Sequence, residues 1–455
     1  MKTHLFTGGL MVFSLLSYAT ADDHPCDSNN PCVEGCCSST VNLCGYGPDY
    51  CGKNCIAEAS HQGSCAQKSE CDPGYFPGYG TVWALGGTTS DFCGTTSVTE
   101  PSCGGTSSAK RTVGYYEGFS QNRACDGKTI HPIPIGGYTH INFAFIYIDP
   151  NTYKLTPMAE NQVDLYSRTT ALKQQDSNLQ VWFSIGGWDF NDPGATATTF
   201  SKLAASTAAQ AAFFESVNEY MTTYGFDGID IDWEYPVTSD RNGSPEDYEN
   251  YVTLLQNLRR YLSSKGSYGL SITIPSSYWY MKNFDIANIS KTIDWFNIMT
   301  YDLHGTWDSD ADHVGKVVYA HTNLTEIKQS MDLLWRNDID PSMVNLGLGF
   351  YGRSKSTAVK YSSEVEKLIL IGFTLSDSSC KEPGCPFSGG GTSGVLSYTE
   401  IEDVLNDATL GAVMTLDPVA AVQIVTWSGD QWVSFDNEGT FAKKREFANS
   451  QCLGG

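Results

Sequence analysis

Basic residues are scarce in this chain: 28 Lys and Arg stand against 51 Asp and Glu, a formal net charge of -23 over 455 residues. Such acidity repels phosphate backbones and anionic headgroups, which argues against a nucleic acid or a membrane as partner and suits a neutral substrate. Long apolar runs are missing as well. Beyond the N-terminus no segment approaches the roughly 18 apolar residues of a membrane span. The N-terminus itself carries Lys2 and His4, an apolar run around Leu10 to Leu16, and Ala19-Thr20-Ala21 before a polar segment. This reads as a secretory signal peptide over residues 1–21, with an apolar part too short to be an anchor. A secreted, extracellular protein is the expectation. Secretion makes disulfides the expected state of the 15 cysteines, an odd number that leaves one thiol over, and makes Asn242, Asn288 and Asn323 glycosylation sequons.

Aliphatic periodicity is absent between Cys26 and Cys103, where eleven of the cysteines lie among Gly, Ser, Thr and Pro. Such a stretch cannot build a core and must be stapled. Zinc binding is the competing reading, but secretion and the dense, irregular spacing favour disulfides, and no cofactor or metal is expected. The spacing of Cys26, Cys32, Cys36, Cys37, Cys44, Cys51 and Cys55 resembles the hevein-like chitin-binding module. The segments Cys36-Cys37-Ser38 and Cys44-Gly45-Tyr46-Gly47-Pro48-Asp49-Tyr50-Cys51 carry the likeness. The resemblance places a module over residues 22–60 and implies that Ser38 and Tyr50 contact N-acetylglucosamine. Further aromatics of that family are absent from Ser38 to Leu43, and covering the staples is the alternative role for Tyr46 and Tyr50. Residues 61–110 read as the remnant of a second module, with Ser102 to Lys110 as a flexible linker.

From Arg111 the texture changes to short apolar strands alternating with amphipathic helices, which predicts an α/β fold with a parallel sheet. Seven strands are expected: Thr112 to Gly118, His140 to Ile148, Leu179 to Ile185, Gly225 to Glu234, Gly269 to Pro275, Trp295 to Tyr301 and Asn345 to Phe350. Helices are expected at Thr207 to Tyr224, Pro245 to Leu262 and Asn323 to Asn337, the second opening on Ser244-Pro245-Glu246-Asp247. Repeated strand-helix units over this length predict a (β/α)8 TIM-type barrel, whose catalytic residues sit at the C-terminal ends of strands. In the fourth strand Asp230, Asp232 and Glu234 alternate with Ile229, Ile231, Trp233 and Tyr235, so three acids share one face. A polar solvent face usually mixes such acids with Lys, Thr and Ser, because stacked like charges repel. Crowded carboxylates instead push a pKa upward, as a site of acid catalysis requires. Aromatic residues make up 12% of the chain, and their flat rings suit sugar faces, although many serve the core.

Three motifs then agree in order: Ser184-Ile185-Gly186-Gly187, Asp227 to Glu234, and Met299-Thr300-Tyr301-Asp302. They resemble S-x-G-G, D-x-x-D-x-D-x-E and M-x-Y-D of glycoside hydrolase family 18, the chitinase family, in its secreted fungal, killer-toxin-like subgroup. The resemblance implies a catalytic domain over 111–455 and an endochitinase that hydrolyses chitin or chitooligosaccharides by a retaining, substrate-assisted mechanism. Glu234 is then the acid and Asp232 the partner of the substrate acetamide. Asp230 shares a proton with Asp232, and Tyr301 donates to the acetamide oxygen. Asp302 binds a sugar hydroxyl or the acetamide region, and Tyr115, Phe145, Trp188, Met299, Tyr351 and Arg353 line the cleft. Residues of about 352–450, with Cys380 and Cys385, resemble the family's small α+β insertion. In the family a segment like Cys452-Leu453-Gly454-Gly455 leads into an eighth strand, which this sequence lacks. That departure leaves the edges of strands one and seven unpaired and gives a second reading, a chitin-binding protein with impaired catalysis. A third reading, an endo-β-N-acetylglucosaminidase acting on N-glycans, is disfavoured by the cysteine-rich module and the insertion. The oligomeric state is not set by the sequence.

Overall fold

The computed structural model describes residues 25–45 in part, 99–122, 130, 133–305, 307–308, 318–356, 394–429 and 431–455. The chain divides into two units, Met1–Thr96 and Ser97–Gly455. In the first, Cys36–Cys37 pairs antiparallel with Cys44–Gly45. Disulfides join Cys26 to Cys37 and Cys32 to Cys44, and these four residues form a buried cluster. A sulfur in a disulfide offers no thiolate to zinc, so the metal alternative fails for these four. Ser38 is buried beside them. Tyr46, Tyr50, Cys51 and Cys55 lie outside the described residues, as do Cys380 and Cys385.

The second unit is built on a curled parallel sheet of seven strands that run in sequential order: β1 (Val113–Glu117), β2 (His140–Ile148), β3 (Gln180–Gly186), β4 (Gly228–Asp232), β5 (Gly269–Pro275), β6 (Trp295–Met299) and β7 (Val344–Leu346). A short antiparallel strand, Leu155–Pro157, pairs with β2. Every residue of β4 is buried. Ile229 and Ile231 alternate with Asp230 and Asp232, so the acid face points into other protein and not into water; this is why the solvent-face reading fails. Asp227, before the strand, is held apart from the row by Lys173, whose Nζ lies 2.8 Å from Oδ1.

Helices return the chain between strands. The helix α1 (Thr207–Tyr224) starts where Ser206 accepts a hydrogen bond from Ala209 N and ends at Gly225, whose φ of 80° suits glycine. The helix α2 (Asp247–Lys265) starts two residues later than expected, and Asp247 at its start is a buried tie: its Oδ2 accepts from Ser244 N (2.7 Å), Val237 N (3.1 Å) and Ser201 Oγ (2.8 Å). The helix α3 (Leu324–Arg336) is capped by Asn323, which accepts from Thr325 N.

After β7 a five-stranded antiparallel sheet forms from β8 (Tyr351–Ser356), β9 (Val395–Ser397), β10 (Val413–Asp417), β11 (Val422–Trp427) and β12 (Gln431–Phe435), in the order β9-β8-β12-β11-β10. Its core gathers Leu396, Ile401, Val404, Val425, Trp427, Val433 and Phe435. The helix α4 (Glu438–Ser450) then leads back to the barrel.

Two expectations change at the ends of this unit. The Ser102 to Lys110 stretch is fastened to α4 by Ser108, whose N and Oγ both donate to Asn449 Oδ1 at 3.0 and 2.8 Å, and to the segment after α4 by a Cys103–Cys452 disulfide. The edges of β1 and β7 are not wholly unpaired either. Arg111 N donates to Gly454 O, Leu346 N donates to Gly455 O, and Gly454 N donates to Val344 O, at 3.0, 3.1 and 3.0 Å. Only glycine fits there: a Cβ on Gly454 would lie 2.0 Å from the backbone oxygen of Ser342.

Candidate active site

Asp230 is the innermost acid and is fully buried. Its Oδ2 accepts from Tyr115 Oη (2.9 Å), Ser184 Oγ (2.8 Å) and Thr273 Oγ1 (3.1 Å), and its Oδ1 from Ser271 Oγ (2.7 Å) and Asn297 Nδ2 (3.0 Å). Donors from β1, β3, β5 and β6 thus converge on one carboxylate of β4. These five contacts fill the hydrogen-bonding capacity of the carboxylate and fix its orientation in the barrel. Ser184, the first residue of its motif, is thus one of the groups that hold Asp230. The donor chain continues below: Asn345 Nδ2 donates to Asn297 Oδ1 (2.9 Å) and Arg111 Nε to Asn345 Oδ1 (2.9 Å).

Asp232 is 5% exposed, and its Oδ1 is buried without a hydrogen-bond partner among the described residues. Burial, then the charges of Glu234 and Asp230, push its carboxyl well above the usual range. The strand end is held by Gly187 N, which donates to Asp232 O at 3.0 Å. The neighbouring Gly186, at φ 110°, could carry no side chain, since its Cβ would lie 2.1 Å from the same oxygen.

Glu234 follows the strand at 7% exposure. Burial lifts its pKa to about 7 against the pull of a Tyr235 hydrogen bond and the Arg241 guanidinium, with Asp302 and Asp189 pushing upward. A protonated carboxyl is thus available near neutrality. Beyond β6, Tyr301 is half-buried, and its hydroxyl is driven well above its ordinary pKa by burial and by Asp232, Asp302 and Glu234; it is a donor and not a base.

Asp302 accepts from Tyr351 Oη (2.6 Å) and from Arg353 Nε (2.8 Å) and Nη2 (2.6 Å). Burial raises its pKa, but a His321 hydrogen bond and the Arg353 charge outweigh this and hold the carboxyl well below the usual range. Asp302, Tyr351 and Arg353 therefore form one clamp between β6 and the inserted sheet.

The structure thus brings together Tyr115, Asp230, Asp232, Glu234, Tyr301, Asp302, Tyr351 and Arg353. Met299 is half-buried at the end of β6, and Phe145 is half-buried with its ring against Gly187. Trp188, after β3, is 47% exposed. Residues not foreseen are Trp279 after β5 and Trp307 after β6, exposed by 55% and 44%, together with Tyr280, stacked on Tyr235 at 4.2 Å, and Arg241. Arg241 carries a sequence signal of its own: it is the sole basic residue between Lys202 and Arg259. No helix among the described residues is long and apolar enough to cross a membrane.

Comparison with known proteins agrees with this geometry. The chain is 29% identical over 413 residues to a protein of Penicillium expansum named secreted chitinase LysM12, covering 81% of this chain and 26% of that protein. It is 29% identical over 388 residues to the killer toxin subunits alpha/beta of Kluyveromyces lactis, covering 83% of this chain and 28% of the relative. It thus spans about a quarter of the length of these curated relatives. Among solved structures, catalytic domain 2 of the Ostrinia furnacalis Group II chitinase superposes with a TM-score of 0.63 at 26% identity, covering 76% of this chain and 88% of that one. The sequence profile of the glycosyl hydrolases family 18 matches residues 111–455, and with β3, β4 and β6 delivering their motif residues to one pole of the barrel, the chain belongs to that family.

Proposed function

We propose that this chain is a secreted endochitinase that cleaves β-1,4 bonds between N-acetylglucosamine units with retention, by a substrate-assisted mechanism. One observation carries the reading: Asp232 Oδ1 is buried without a partner beside a Glu234 whose pKa is raised to about 7. An orphaned buried acceptor is costly unless a ligand donor completes it, and the N–H of a substrate acetamide has that geometry of need. Protonated Glu234 gives its proton to the glycosidic oxygen as the bond to the anomeric carbon breaks. The acetamide oxygen of the same sugar attacks that carbon, and the positive charge of the resulting oxazolinium falls beside Asp232 and Asp230. Tyr301 Oη donates to the acetamide oxygen and orients it. Glu234, now a carboxylate, takes a proton from the incoming water, whose oxygen joins the anomeric carbon and regenerates the acetamide. The exposed rings of Trp188, Trp279 and Trp307 offer platforms for a chain of sugars, and relatives named as chitinases point the same way. The N-terminal disulfide unit is proposed to hold the enzyme on chitin.

Glu234→Gln tests this. The amide keeps the shape but cannot give a proton, so kcat on an N-acetylchitooligosaccharide should fall by about 10²–10⁴-fold while binding persists. Unchanged turnover by a folded Glu234→Gln protein removes Glu234 from the acid role.

A further inference from the structure

Arg241 is 5% exposed and makes four contacts at once. Its Nε donates to Glu234 O at 3.0 Å, its Nη2 to Trp188 O, and its Nη1 to Asp192 Oδ1 at 2.8 Å. The guanidinium carbon also lies 3.6 Å from the centre of the Trp188 ring. One planar cation thus joins the backbone of the acid, which follows β4, to both the backbone and the ring of the aromatic that follows β3. The ring is covered on one side by the guanidinium yet remains 47% exposed. Only arginine serves all these directions, since its donors form a fixed fork in the plane that stacks on the indole.

We propose that Arg241 is a positioning residue for the hydrolysis, binding Glu234 and Trp188 into one rigid unit so that the acid and a sugar-bearing ring keep a constant register. The inference rests on reading Glu234 as the acid. It has an electrostatic consequence. Among the described residues, the groups facing Glu234 are Asp232 and Tyr235 from its own segment, Asp189 after β3, Tyr280 after β5, Tyr301 and Asp302 after β6, and Arg241. Arg241 is the cation of this set, so its loss lets Glu234 hold its proton to higher pH. A purely structural staple would change the melting temperature and leave the pH profile alone.

The test uses the full chain as Arg241→Gln, Arg241→Lys, Asp192→Asn and Glu234→Gln, with kcat and KM for N,N′,N″,N‴-tetraacetylchitotetraose across the pH range and melting curves for each. For Arg241→Gln, kcat should fall roughly ten- to a hundred-fold and the alkaline limb should rise by about one pH unit. KM should increase several-fold as the Trp188 ring loses its backing. Arg241→Lys keeps the limb but not the fork, so its kcat should lie between the two. Asp192 is half exposed, so Asp192→Asn folds even if Arg241→Gln does not, and freeing the Arg241 charge should lower the limb. Arg241→Gln with wild-type kcat and limb overturns the proposal, as does an unmoved limb in Asp192→Asn if Arg241→Gln fails to fold. Failure of the acid assignment is separate, since it shows as retained turnover in Glu234→Gln.

Discussion

Glu234 shows what burial does to a single acid. Folded, it titrates near 7, whereas an unfolded glutamate titrates near 4.3. The folded state therefore disfavours the ionised form. Its contribution to stability is intact below about pH 4.3 and is lost as pH rises through about 7, an effect on the order of 4 kcal/mol when complete. Two outcomes follow at this scale. Hydrolysis should lose its acid above about pH 7, giving an alkaline limb in kcat/KM there. Glu234→Gln, which cannot ionise, should melt close to the wild type at pH 4 but several degrees higher at pH 8 in calorimetry. A wild type that is as stable as the variant at pH 8 would mean that the carboxylate is solvated better than its 7% exposure suggests. Asp302 has the opposite sign: its depressed pKa stabilises the fold above the ordinary carboxylate range and that support is withdrawn on acidification.

At the scale of elements, the ends of β3 and β4 are matched by glycine. Gly186 holds φ 110° with Asp232 O where its Cβ would be, so Gly186→Ala should lose more than about 1 kcal/mol from backbone strain alone. It should also lower kcat, because relief of the clash moves Asp232; thermal melting and turnover on one preparation check both. The sequence makes these strand ends legible because β4 alternates at period two and the motif glycines flank it. The first six strands and α1 are legible from their apolar patterns, whereas the seventh, expected from Asn345 to Phe350, is formed by Val344–Leu346 and leaves Phe350 69% exposed beyond it. What is not legible is contact between loops that follow different strands. Arg241 lies in a turn with no periodicity, and its partners Trp188 and Glu234 are brought to it only by the β3–β4 pairing. Nor does spacing show that Asp230 collects five donors from four other strands, which requires knowing which inward residues share a level of the barrel. Nor does spacing show that Asp247, which reads as an ordinary first-turn acid, ties down residues 201, 237 and 244.

For the whole catalytic unit, the largest constraint is the covalent link between its two ends. Cys103 and Cys452 are 349 residues apart in sequence, so their disulfide closes nearly the entire barrel and its insertion into one loop. Closing so long a loop removes conformational freedom from the unfolded chain, worth up to about 5 kcal/mol in the chain-entropy account. Hydrogen bonds from Ser108 to Asn449 and from Arg111 to Gly454 already bring the same ends together in the folded state, so the bond has little native geometry to distort. The double variant Cys103→Ser, Cys452→Ser is preferable to reductant, which would also open the Cys26–Cys37 and Cys32–Cys44 bridges of the first unit. It should unfold at a lower denaturant midpoint with chitooligosaccharide kcat unchanged below its transition, because neither cysteine touches the acids. A midpoint equal to the wild type would show that noncovalent contacts of residues 108–111 alone hold the ends of the barrel, with the disulfide adding nothing to the stability of this unit.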